Sequence, residues 1–427
     1  MRHSAFPNGV TRADLLAWFR EGRARSKEIF AIPIEDAYYE RPIALRNPIV
    51  FYEGHLPAFN VNTLIKLALR EPGIDDHYET LFARGIDPED EVSAKSPTDL
   101  WPTRKCVQKY GAQSDELIER ALTSATIDDD NVPQLRGAEA ALAILEHEEM
   151  HHETFLYMMH NLPYGKKRVT PAIAPAKGNA GRIAGATQKQ EVIAIPAGVA
   201  TIGNIDTFGW DNEFPAHRVA VPAFSIQRHN VTNGEYLEFM EATGAPAPHF
   251  WTRRDGQWFW RAMFELIPLP LDWPVYAMHD EATAYAAWKG MRIPSEAEYH
   301  RAAFGTPSGD ERSHPWGEEL PDASRGNFDL SHWDPVPAGS YPLGASAWGV
   351  HDLVGNGWEW TSTEFSGFDG FQPMASYPVY STDFFDGKHY VMKGASPATA
   401  RHLVRRSFRN WFRPNYPYVY ATFRCAV

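Results

Sequence analysis

Gln134–Asn161 reads QLRGAEAALAILEHEEMHHETFLYMMHN. Its first half is a run of Ala, Leu and Ile, strong helix formers with apolar groups all round, as a helix buried in a core requires. Its second half places three His and four Glu in the eight residues Glu146–Glu153. His147 and His151 stand four residues apart, so a helix projects both imidazoles from one face, within reach of one ion. A solvated helix with charged i, i+4 pairs is the plainer reading. So many histidines beside so many carboxylates favour a metal site. Glu153 follows two residues later, where a carboxylate can orient a ligand, and Glu148 is a second candidate for that task.

The same stretch satisfies H-E-x-x-H, the zinc-hydrolase spacing, in which the Glu activates metal-bound water. A hydrolase is therefore a competing reading, as is a ligand-binding protein without catalysis. A third ligand is needed in either metal case. His55, in FYEGHLPAF (residues 51–59), is the best candidate, because a polar group in an apolar, aromatic stretch needs a partner. Three neutral imidazoles leave positions open for substrate and O₂, which suits Fe(II) better than a closed structural zinc site.

Further helices are expected over Thr11–Arg25, Pro48–Arg70 and Ser114–Thr126. With the 134–161 helix they suggest an up-and-down four-helix bundle. Residues 165–190, GKKRVTPAIAPAKGNAGRIAGATQKQ, are short of large apolar groups and read as a linker. From Val192 onward, short apolar runs alternate with Gly, Pro, Asn and Asp. Helices are expected only at Thr232–Glu241, Asp280–Trp288 and Ser295–Ala303. This half reads as an irregular, mainly β domain. The chain is thus divided into a helical domain (1–164), a linker (165–191) and a second domain (192–427), an α+β protein of two domains.

Composition agrees with packed cores: 44% of the 427 residues are hydrophobic. The formal charge of −13 argues against nucleic acid or an anionic membrane as partner. Two distant cysteines, Cys106 and Cys425, make no metal or redox motif and fit a reducing, cytoplasmic setting. No signal-peptide pattern or membrane-length apolar run is present, so no membrane partner is expected.

The second half carries Gly209-Trp210-Asp211-Asn212-Glu213-Phe214-Pro215, Arg292-Ile293-Pro294-Ser295-Glu296-Ala297-Glu298, Val350–Trp360 (VHDLVGNGWEW) and Phe423-Arg424-Cys425. Together these resemble the formylglycine-generating-enzyme/sulfatase-modifying-factor domain, a variant of the C-type-lectin fold. The paired late cysteines of formylglycine generators are missing, so that activity is not expected. The first half resembles the DinB-like bundle of the ergothioneine and ovothiol sulfoxide synthases, with an early His followed by H-x-x-x-H-x-E. That resemblance implies Fe(II) as cofactor and O₂ as co-substrate. It also implies a thiol donor joined to C2 of an imidazole, with hercynine as acceptor.

Three departures stand out. Met150 replaces a Gln that would contact the imidazole. Leu81-Phe82-Ala83-Arg84-Gly85-Ile86 lacks two tyrosines of one branch. Arg409-Asn410-Trp411-Phe412 lacks the Asp of another. Within the family the pattern is closest to the selenoneine synthases, which take a selenosugar donor; the alternative is an ergothioneine-type synthase using cysteine or γ-glutamylcysteine. The resemblance implies hercynine contacts at Asn410 and Trp411, with Phe412 and Met150 at substrate-facing positions, although Trp411 could equally be core; Arg84 could attract a polar donor, with a surface arginine as the plainer reading. Tyr380 is a candidate proton donor, though a packed tyrosine is equally expected there.

Overall fold

The computed structural model describes residues 9–83, 101–169, 190–205 and 208–427. The chain forms two compact units. The first comprises Met1–Ala174 with Asp206–Phe208 and Pro373–Tyr380; the second comprises Pro175–Ile205, Gly209–Gln372 and Ser381–Val427. Most of the stretch read as a linker, residues 170–189, lies outside the described residues.

The first unit is built on helices α1 (Arg12–Ile29), α2 (Ile49–Asn60), α3 (Asp76–Leu81), α4 (Arg104–Ser124) and α5 (Glu139–His160). Thr11 starts α1 through a reciprocal cap with Asp14. The expectation of one helix over 48–70 needs correction. After α2, which contains Pro57, the chain continues as a π-helical segment, Val61–Ala68. A wider turn of this kind marks functional helices more often than ordinary ones. Helix α4 starts ten residues earlier than expected, capped by the Thr103 hydroxyl. Helix α5 starts after Gly137 and Ala138, both at positive φ, which break it from the preceding turn. Helices α1, α2, α4 and α5 pack on one another, with α1 against α5 and α2 against α4 the most extensive pairs.

The second unit is irregular, as its turn-rich sequence requires. Its strands are β1 (Val192–Ile195), β2 (Gly198–Ile202), β3 (His217–Val221), β4 (Phe224–Gln227), β5 (Trp251–Arg254), β6 (Gln257–Arg261), β7 (Leu266–Pro268), β8 (Gly357–Glu364), β9 (Tyr390–Ala395), β10 (Asn410–Phe412) and β11 (Ala421–Thr422). They form two hairpin-like pairs, β1–β4 and β2–β3, a three-stranded sheet β5-β6-β7, and a four-stranded sheet in the order β10-β9-β8-β11. Strand β11 lies parallel to β8; β9 and β10 are antiparallel. Helices α6 (Asn233–Thr243), α7 (His279–Trp288) and α8 (Glu296–Phe304) complete the unit.

Its centre is aromatic and charged at once. Trp210, Trp260, Trp358 and Trp360 are fully buried. Beside them Arg424, just past β11, meets Glu359 of β8 at 2.7 Å and donates to the carbonyls of Gln227 and His351. Both partners are buried, so this pair fixes the C-terminal strand in register, and loss of either partner would strand a charge. No helix among the described residues is long and apolar enough to cross a membrane.

Helix α7 contains an acid whose ionisation opposes folding. The Glu281 carboxylate accepts the Met278 N–H at 2.8 Å, yet burial pushes its pKa up to about 7, from an ordinary 4.5. The native chain therefore holds a proton that the unfolded chain releases. Stability present below the unfolded value is lost as pH rises through 7. Glu281→Gln removes that loss, so its melting temperature relative to the parent should rise between pH 5 and 8. A difference independent of pH would show that Glu281 is ionised throughout.

Candidate metal centre

Helix α2 supplies His55, and α5 supplies His147 and His151. One ring nitrogen from each can be chosen so that all three lie within 4.8 Å of one another. Ring centroids are 4.4 Å apart for His147–His151, 5.0 Å for His55–His151 and 5.3 Å for His55–His147. His55 and His147 are buried, and His151 is half-buried.

Each imidazole is backed by a phenyl ring. His147 stacks on Phe59 at 3.5 Å and 10°, His55 on Phe51 at 5.2 Å and 17°, and His151 on Phe155 at 5.4 Å and 26°. Such contacts contribute about 0.5–1.5 kcal/mol each beyond burial and hold ring planes in place. Phe59 is four residues from His55, so the helical period puts it on the same face.

The donor chemistry fits a divalent cation. His55 Nδ1 lies 2.8 Å from the Phe82 carbonyl, which only accepts; Nδ1 therefore carries the hydrogen and Nε2 the lone pair. His151 Nδ1 is buried and makes no hydrogen bond among the described residues. Burial holds the His151 pKa well below the usual imidazole range, and repulsion from His55 and Arg46 adds to this, so the ring is neutral at pH 7. A neutral His151 with an unmet ring nitrogen, beside His55 with Nδ1 on a carbonyl, is what an ion-binding site presents.

The flank of α5 that meets α1 is locked by charge. Glu148 accepts from Arg23 Nη1 at 2.8 Å and from the Ser26 hydroxyl at 2.6 Å, and Arg23 also meets Asp115 at 2.7 Å. Ser26 lies 2.8 Å from His152 Nε2, and Glu149 accepts from Trp18 Nε1 at 2.8 Å. Glu148 is thus engaged with α1. Glu153 is half-buried on α5.

Segment Pro373–Tyr380 of the same unit adds two tyrosines. The Tyr380 hydroxyl donates to Met150 Sδ at 3.2 Å. Tyr377 packs 5.2 Å from Phe59 and 6.2 Å from His147. Sequence reasoning passed over Tyr377, and nothing in its local sequence separates it from Tyr380. Arg84 lies outside the described residues. In the second unit, Asn410, Trp411 and Phe412 form β10, an edge strand. Asn410 Oδ1 accepts the Trp411 N–H, Trp411 stacks on Phe365 at 4.1 Å and 7°, and Phe412 stacks on Tyr416 at 5.2 Å. One face of Trp411 is therefore already covered.

Residues 180–427 match the family model of the sulfatase-modifying factor enzyme 1-like domain. A hercynine oxygenase of Mycolicibacterium thermoresistibile is 35% identical over 434 residues, covering 94% of this chain and 92% of that protein. The chain belongs to the hercynine oxygenase family. A second hercynine oxygenase, from Mycolicibacterium smegmatis, is 37% identical over 297 residues, 64% of this chain and 67% of that one. Ergothioneine biosynthesis protein 1 of Schizosaccharomyces pombe is 30% identical over 423 residues; these cover 90% of this chain but 52% of the fungal protein, so the chain spans about half of that relative. Family membership makes this chain one of a set of biosynthetic enzymes, with a sulfatase-modifying-factor domain as its second half.

The three-imidazole site predicts that the purified chain takes up one Co(II) per molecule at neutral pH. His151→Ala should lose stoichiometric binding, and Phe59→Leu should keep the ion with roughly tenfold weaker affinity, the low end for residues that support ligands. One ion retained by His151→Ala would overturn the ligand set.

Proposed function

We propose that the chain is an iron(II)- and O₂-dependent hercynine oxygenase that forms a carbon–sulfur bond between the imidazole C2 of hercynine and a small thiol such as cysteine or γ-glutamylcysteine. The observation that carries this reading is the cluster of His55, His147 and His151 donors within 4.8 Å, in a chain matched nearly end to end by a hercynine oxygenase. We also propose that the helical unit is DinB-like, with domain limits at 1–164 and 192–427, and that the enzyme acts in the cytoplasm.

A bound Fe(II) would supply the activation of O₂ and of the donor sulfur. The protein's own residues do the rest. Phe51, Phe59 and Phe155 fix the ligand rings, and the aromatic lining limits water near them. Tyr380 holds its hydroxyl proton against a thioether, a weak acceptor, so that proton is readily passed to a stronger base. Met150 and Tyr377 border the same site. We propose Asn410, Trp411 and Phe412 as hercynine-binding residues from the sequence resemblance, Arg84 toward the donor from its charge, and Glu153 as a support for the ligands.

The placement of Glu148 disfavours the hydrolase reading. An H-E-x-x-H hydrolase needs that carboxylate beside metal-bound water, whereas here it is bound by Arg23 and Ser26. A selenosugar donor is the second reading. It rests on the sequence departures at Met150 and residues 83–86, and no relative named above carries it.

The deciding experiment loads the chain with Fe(II) under anaerobic conditions, adds hercynine with cysteine, γ-glutamylcysteine or a selenosugar, admits O₂, and follows products by mass spectrometry. A hercynine–thiol sulfoxide formed only with iron and O₂ is the expected result. A selenium adduct formed in preference would move the protein to the second reading. Unchanged hercynine with every donor, from a chain holding one iron, would overturn the assignment. In the active enzyme Tyr380→Phe should lower kcat by about 10²–10⁴-fold with little change in KM, the range for loss of a proton donor; an unchanged kcat would make Tyr380 a packing residue.

A further inference from the structure

His55 is held by a carbonyl from a distant turn, and a glycine beside it explains how that turn comes so close. Gly54 lies inside α2, where Ala is favoured by about 1 kcal/mol. A Cβ on Gly54 would lie 2.5–2.6 Å from Cζ, Cδ1 and Cδ2 of Phe82, so the phenyl ring sits directly on the helix backbone. Phe82 is fully buried, stacks on Trp101 at 6.2 Å and 21°, and meets Phe51 at 6.4 Å. With the ring seated there, the Phe82 carbonyl reaches His55 Nδ1.

A second tether holds the same turn. Phe82 follows α3, and Glu79 of α3 is buried. Its carboxylate accepts from the N–H groups of Ile74 and Asp75, at 2.6 and 3.0 Å, and from Lys66 Nζ at 2.8 Å. Its carbonyl accepts from Asn62 Nδ2 at 3.0 Å. Lys66 and Asn62 belong to the π-helical segment that continues α2. The turn is therefore fixed to one continuous rod at two points, on either side of the His55 contact.

We propose that Gly54 and Phe82 are positioning residues that hold His55 as its Nδ1–H tautomer, leaving Nε2 to donate to a divalent cation. Phe82 acts through its ring, which sets the distance, and its backbone oxygen, which sets the tautomer. Gly54 acts through having no side chain. Neither touches substrate.

The cation in this inference rests on the proposed function; the tautomer does not. The test uses the full-length, metal-free chain labelled with ¹⁵N-histidine, read by long-range ¹H–¹⁵N correlation at neutral pH. His55 is assigned by the signals missing from His55→Gln. The native spectrum should show His55 protonated at Nδ1. Gly54→Ala should give mixed tautomers with an unchanged circular dichroism spectrum, and Co(II) affinity lower by about 10–100-fold, the usual cost of disturbing a ligand's outer partner. Phe82→Ala, which keeps the carbonyl but loses the ring, should behave alike and serves if Gly54→Ala does not fold. An Nε2–H tautomer in the native chain would overturn the proposal, as would folded variants with native tautomer and native Co(II) affinity. A native Nδ1–H tautomer in a chain that binds no Co(II) would sink the metal reading and leave the tautomer assignment standing.

Discussion

The rotational setting of α5 is what the candidate centre depends on, and a buried ion pair fixes it. Arg23 and Glu148 meet at 2.8 Å with almost no exposure, and Asp115 completes the charge balance from α4. Removing one partner of such a pair costs about 3–5 kcal/mol, because a charge is left in a poor solvent. That penalty resists any roll of α5 that would move Glu148 from Arg23. A roll by one residue is about 100°, enough to take His147 and His151 away from His55. Glu148 and Glu149 thus anchor the helix against α1, while the imidazoles meet His55 of α2.

This division of labour was half legible. The i, i+4 spacing of His147 and His151 places them on one face without tertiary information, and the aromatic surroundings of His55 mark it as a buried polar group needing a partner. The role of Glu148 was not legible, because H-E-x-x-H and H-x-x-x-H-x-E are the same letters. Only the position of Arg23, 125 residues earlier, separates them. Tyr377 and the Phe82 carbonyl were missed for a similar reason: a backbone oxygen has no sequence signature, and a tyrosine more than 200 residues from the histidines has no local mark. The start of α4 was missed because its first turn is polar; Thr103 signals it, but few apolar residues follow at helical spacing. The Gly-Asn-Gly stretch at 355–357 suits a tight turn, and the tryptophans after it suit a core. Trp358 and Trp360 are indeed sealed in the core.

Both units use a buried ion pair, but on different frameworks, and this bears on where chemistry can be placed. The second unit has short strands and long loops, and it relies on buried charged pairs such as Arg424–Glu359 to define its register. Residues on its edge strand β10 are committed to packing: Trp411 covers Phe365, and Asn410 caps its own backbone. Phe384 packs against the same indole at 5.4 Å, so Trp411 is held by two phenyl rings.

In the first unit the histidines are set in rings rather than in hydrogen-bonded side chains. Anionic neighbours would raise the imidazole pKa values and let protons compete with an ion; burial among phenyl rings does the opposite, since it favours the neutral form. The direction of the His151 shift follows from that choice of neighbours. The Tyr380 hydroxyl donates to the Met150 sulfur. Replacing that sulfur by the amide oxygen of a Gln would give the hydroxyl a stronger acceptor and make its proton harder to transfer. If Tyr380 acts as the proton donor proposed above, this contact couples Met150 to proton delivery whichever donor is used.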